Sequence, residues 1–114
     1  MEQSFKDAWI RNLSKYNKKQ YGLSDGNKER CIMAVAYETA VELEILPNCD
    51  LQGRDLLTDQ ELRAIGVSPE AQYYLSTMND QFSGVDPSKF SIRLINAIED
   101  LPVREMVLLE KPKE

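Results

Sequence analysis

Few residues in this 114-residue chain are suited to chemistry, and histidine is not among them. Its absence removes the commonest general base and metal ligand, and with them every Ser-His or Cys-His nucleophile system. Cys31 and Cys49 lie eighteen positions apart, outside the spacing of a zinc-binding cysteine pair. The five glycines are scattered singly, so neither a phosphate-cradling loop nor a dinucleotide fingerprint is present. Carboxylates remain. Glu38 with Glu42, and Asp80 with Asp86, are candidate acid–base pairs, yet two Glu four residues apart on a helix are chiefly a solvated face. Asn48-Cys49-Asp50-Leu51-Gln52-Gly53 alternates oxygen ligands before a glycine, as a calcium loop does. Continued in register, it puts Asp55 at an apolar position and Asp59 where a bidentate Glu belongs, so a polar turn is expected there. No metal, no cofactor and no catalysis are expected.

Two constellations suit binding instead. Tyr16-Asn17-Lys18-Lys19-Gln20-Tyr21-Gly22 interleaves aromatics with lysines. Aromatic faces stack on bases and ammonium groups meet phosphates; the plainer reading is a helix C-terminus, where Lys suits the dipole and Tyr packs on the core. Asn79-Asp80 is a polar pair near the end of a helix, expected either to brace a turn or to line a pocket facing the Tyr16–Gly22 loop. The candidate binding residues are therefore Tyr16, Lys18, Lys19, Gln20, Tyr21, Asn79 and Asp80.

Charge is divided along the chain. Residues 1–30 hold seven Lys or Arg against four Asp or Glu, and residues 31–114 hold seven against fifteen. The resulting net charge of −5 opposes close approach to nucleic acid, while the basic end suits a small anionic ligand. The longest apolar run, Cys31 to Tyr37, is far below the roughly 20 residues a membrane-spanning helix needs. With no apolar signal core at the start and two isolated cysteines, reduced thiols and a cytoplasmic location are expected.

These residues must be positioned by helices. Ser4 with Asp7 has the capping-box spacing, and Phe5, Ala8, Trp9, Leu13 and Tyr16 recur as one apolar face. Gly22 and Asp25-Gly26 interrupt, with a small β-hairpin around residues 20–30 as one outcome. A second helix is predicted from Lys28 to Leu46, stopped by Pro47, with a strand as the rival reading for Cys31–Tyr37. Thr58 and Glu61 mark a third helix, flanked by Leu57 and Leu62 and closed by Gly66. Ser68-Pro69 opens a fourth, with Ala71, Leu75, Met78 and Phe82 inward and Gly84 as its stop. Asp86-Pro87 opens a fifth, with Phe90, Leu94, Ala97, Ile98 and Leu101 inward and Pro102 beyond. The tail docks as a short C-terminal strand or a last helical turn. The expected fold is mainly α: one domain over residues 1–114, a compact bundle of about five helices.

Trp9, Leu13, Tyr16, Gln20, Gly22 and Leu23, the helix Arg30 to Glu38, Leu75 with Met78-Asn79-Asp80, and Phe90, Ile95, Ile98 and Glu99 together resemble a family of small bacteriophage and bacterial proteins. Family members carry W, L, Y, then Q-x-G-L, a cysteine-rich "CCLGVLCE" helix, an "LND" element and an F-x-x-I-A-x-x-I-E segment. Of the three family cysteines only Cys31 is kept here. The resemblance spans about residues 9–99 and implies a phage or prophage setting without implying an activity. Composition and motifs together point to a small non-catalytic protein acting by contact with a macromolecular partner. A pocket protein for a small anionic metabolite or nucleotide is the alternative.

Overall fold

The computed structural model describes residues 1–18, 22–25, 29–80 and 89–103. Five helices make up most of it: α1 (Gln3–Asn12), α2 (Ile32–Glu42), α3 (Asp59–Ile65), α4 (Pro69–Asp80) and α5 (Ile92–Glu99). A 3-10 turn (Leu13–Lys15) extends α1, and two two-residue strands, β1 (Asn17–Lys18) and β2 (Glu29–Arg30), complete the order. The fold is mainly α, with a small strand pair. Among the described residues, no helix is long and apolar enough to cross a membrane.

Helix α2 is the axis. Ile32 to Ala36 are fully buried, because the run is apolar on every side and only the centre of a bundle shields all faces of a helix. Helices α1 and α4 pack against α2, and α5 closes on α1 and α4. Trp9 of α1 is fully buried, its ring 5.9 Å from that of Phe5, and its indole N–H donates to the Ile32 carbonyl at 3.0 Å. Lys6 is buried as well, and its ammonium donates to the carbonyls of Glu99 (2.8 Å) and Leu101 at the end of α5. A cation placed on the free carbonyls of a helix C-terminus answers both their unmet hydrogen bonds and the negative end of the dipole.

Helices α3 and α4 begin where their capping residues stand. Thr58 Oγ1 accepts from the Glu61 N–H while Glu61 accepts from the Thr58 N–H, a complete capping box. Gly66 ends α3 at φ +79, and a Cβ there would overlap the Met1 backbone. Ser68 Oγ accepts from the Ala71 N–H and Pro69 takes the first helical position.

Elsewhere the boundaries move. Helix α1 starts at Gln3, with Glu2 as its extended N-cap, so Ser4 lies inside the helix and the Ser4–Asp7 capping box does not form. The earlier start carries Met1 and Phe5 into the core, a burial that outweighs one cap. Helix α2 begins at Ile32 rather than Lys28, because Glu29 and Arg30 are drawn into a strand. It ends at Glu42, well before Pro47: Glu44 adopts φ 62, and Ile45 and Glu44 donate to the carbonyls of Ala40 (2.8 Å) and Val41 (3.1 Å). This is a Schellman ending with Glu in the place glycine usually holds. Residues 32–37 are helix, which decides against the strand reading. Helix α5 begins after Ser91, whose Oγ accepts from the Leu94 N–H. Lys89 and Phe90 are outside any helix; Asp86-Pro87, Phe82, Gly84 and the tail from 104 lie outside the described residues.

The strand pair β1–β2 is parallel, with Asn17 opposite Glu29 and Lys18 opposite Arg30. Among the described residues, the antiparallel contact expected of a hairpin is one bridge, Ser24 with Arg30, supported by the Cys31 N–H donating to the Leu23 carbonyl at 2.9 Å. Leu23 is fully buried and its N–H donates to the Arg54 carbonyl (2.8 Å), which ties this loop to residues 51–54.

Candidate functional site

Polar groups from three parts of the chain converge at one cleft, of about 300 Å³, between the start of α2 and residues 76–80 of α4. Gly22 and Cys31 form one wall, Ser76, Asn79 and Asp80 the second, and Asp55 with Leu56 the rim. The second wall follows from helical spacing: Ser76 and Asp80 are four apart and share a face. Gln72 fixes the rim. It is buried, its Oε1 accepts from the Leu57 N–H (2.8 Å) and its Nε2 donates to the Leu57 carbonyl (3.2 Å), so the loop is held to α4 as a strand would be.

Asn79 is fully buried at the back of the cleft, where its Oδ1 accepts the Ile32 N–H at 3.0 Å and its Nδ2 donates to Asp80 at 3.3 Å. Cys31, the N-cap of α2, makes no side-chain cap bond. Asn79 supplies that cap from another helix, satisfying a donor that the helix start leaves open.

Lys18 is buried, and burial pushes its ammonium pKa down while Asp80 acts in the opposite sense. Tyr16 is half-buried, with the Arg30 guanidinium 5.0 Å above its ring, and Arg30 also pairs with Glu38 at 3.3 Å. Burial raises the Tyr16 phenol pKa, reinforced by Glu38. Among the described candidates, then, Asn79 and Asp80 line the cleft with Gly22, Lys18 lies near Asp80, and Tyr16 packs under Arg30. Lys19, Gln20 and Tyr21 lie outside the described residues.

The other carboxylates of interest are engaged in structure. Glu42 takes hydrogen bonds from Asn12 (2.8 Å) and Arg11 (2.8 Å), and Asn12, buried, also donates to Thr39 at 3.0 Å. The Asn12 bond, ahead of Arg11, lowers the Glu42 pKa. In the Asn48–Gly53 loop, Asp50 accepts from the Gln52 N–H at 3.0 Å and Gly53 has φ +85, a turn closed on itself. Beside it, Tyr37 donates to the Pro47 carbonyl (2.7 Å) and accepts from the Cys49 thiol (3.3 Å), and burial with that contact pushes the phenol up to about 12. Neither cysteine forms a disulfide.

Arg54 forks onto Glu61 at 2.7 and 3.2 Å. That bond, then the capping contact with Thr58, holds the Glu61 carboxyl below its ordinary value. A depressed carboxyl contributes stability above its unfolded pKa and loses it as pH falls through the folded one. Glu61→Gln is therefore expected to flatten the acid side of the stability–pH curve below about pH 4.5 and leave its neutral side sloping as before. Urea unfolding of both proteins between pH 3 and 7 measures this; parallel curves would remove Glu61 as the source.

A larger hollow, of about 560 Å³, lies between the start of α1 and the ends of α2 and α3. Glu2, Ser4 and Arg63 line it together with Met1, Phe5, Leu43 and Ile45.

Asp55, Leu56, Ser76 and Cys31 were not legible as site residues. Each is a single residue of ordinary type, and Gln72, through Leu57, brings the loop to α4. The 72/57 pairing leaves no local signature, whereas the 76/80 spacing on one helix face does. Compared with known proteins, the chain matches no family model, no curated sequence and no solved structure.

Proposed function

We propose that this is a binding protein that acts by contact, without chemistry of its own, and that the cleft between α2 and α4 is where it holds a macromolecular partner. The observation that carries this reading is exposed apolar surface beside converging polar groups: Leu56 is 51% exposed on the rim. Tyr73, 75% exposed, stands three residues before Ser76 and seven before Asp80, hence on the same face of α4. Large apolar side chains left in water next to a polar cleft suit a contact surface. A small anionic ligand is the weaker reading, because two carboxylates, Asp55 and Asp80, line the hollow.

Cys31 and Cys49 form no disulfide, which suits a reducing compartment, so the cytoplasm of a bacterial cell or phage-infected host is the proposed location. The likeness of residues 9–99 to the phage-associated family supports the same setting.

Co-purification tests the reading. The tagged protein and its Leu56→Asp/Tyr73→Asp variant would be recovered from bacterial cells, uninfected and phage-infected, and their companions identified by mass spectrometry. A partner held by the wild type and lost by the variant, with melting temperatures within a few degrees of each other, is the expected result. Equal recovery by both proteins, or nothing above background in either extract, would count against it.

A further inference from the structure

We infer that the occupant of this cleft is a basic side chain, arginine foremost, presented by a partner protein; the inference rests on the contact reading above and specifies its chemistry. The size of the hollow is the first reason. About 300 Å³ is the small end of ligand sites and gives room for one long side chain.

Charge is the second. Residues 31–80 hold nine Asp or Glu against two Arg. Of those nine, Glu38, Glu42 and Glu61 are paired with Arg30, Arg11 and Arg54. Asp55 is exposed at the mouth of the cleft. Deeper in, Asp80 stands on α4 one helical turn beyond Ser76. The positive start of α2 opposite is already answered by Asn79. Lys18 offsets part of the Asp80 charge, which leaves Asp55 as the principal partner for an incoming cation.

The third reason is the apolar rim. An arginine or lysine stem lies along apolar surface while its head reaches charge. Leu56 provides that surface, and the exposed ring of Tyr73 on the same side offers a face on which a guanidinium stacks.

Nitrogen-15 NMR titration with Nα-acetyl-L-arginine N-methylamide provides the test, with the leucine and glutamate analogues as comparators. The amides of Asp55, Leu56, Ser76 and Asp80 are expected to shift together and saturate with the arginine compound alone. Asp55→Asn should weaken that binding about tenfold, the loss of one charge-assisted hydrogen bond, and Asp55→Glu should retain it. Added salt should weaken it as well, since the rim is open to solvent. No shift at these amides with arginine, or equal shifts with leucine or glutamate, would overturn the inference. If the Leu56/Tyr73 variant nevertheless loses a co-purified partner, contact at the cleft stands and only the basic occupant is wrong.

Discussion

Trp9→Ala is expected to lower the unfolding free energy by about 3–5 kcal/mol, the largest single loss of any substitution considered. The indole is fully buried, tilted against Phe5, and hydrogen-bonded to the Ile32 carbonyl. Alanine would leave a cavity between α1 and α2 at the point where α2 starts, and would remove a donor from a buried carbonyl. Domains of this size have only about 5–15 kcal/mol in all, so about a fifth or more of the total is at stake. Trp9→Phe separates the two contributions, keeping much of the volume but not the N–H, and is expected to cost about 1–2 kcal/mol. Guanidinium unfolding of the three proteins at constant slope gives both numbers. A loss under about 1 kcal/mol for the alanine variant would mean that α1 does not pack on α2 as described.

The contrast between α3 and α2 shows which features local sequence can carry. Thr58 and Glu61 satisfy each other's backbone within one turn, so the start of α3 is written in four consecutive residues. The start of α2 is set by Asn79, forty-seven residues away, and by the extension of Glu29 and Arg30 into a strand. Neither is visible in the residues around Cys31. The end of α2 is similar: no glycine marks it, and Pro47 drew the predicted boundary toward itself, while Glu44 takes the left-handed turn. Met1 and Phe5 in the core likewise override Ser4 as a cap.

The same division applies to the cleft. Asn79 and Asp80 stood out as a polar pair at a helix end, and the structure sets them across from Gly22, the last residue of the Tyr16–Gly22 segment. Asp55 and Leu56 join them where Gln72 clasps the neighbouring Leu57 from α4 and the Leu23 N–H holds the Arg54 carbonyl. Side-chain clasps on distant backbone follow no period, so pattern reading passes over them. Charge asymmetry was legible in full, since it is a count; which carboxylates are neutralised by arginine was not, since that depends on packing.

Asn79 joins stability to the site, and Asn79→Leu is expected to cost about 2–3 kcal/mol. Leucine has the branched outline of asparagine and a larger volume, so none of the loss is cavity. Its source is the Ile32 N–H, buried and left without an acceptor, which costs roughly 1–3 kcal/mol by itself, together with the loss of the only side-chain cap α2 has among the described residues. Asn79→Asp keeps an acceptor at the same place but sets a second carboxyl beside Asp80 in a buried position. Burial and the neighbouring Asp80 oppose its charge, while the Ile32 N–H and the positive start of α2 favour it. The aspartate variant keeps the cap and is therefore expected to lose less stability than the leucine variant at neutral pH. Hydrogen exchange gives the local readout: in Asn79→Leu the amides of Ile32 to Val35 should lose protection before those of α3. If both variants unfold with wild-type midpoints, Asn79 does not cap α2, and the back wall of the cleft would have to be built some other way.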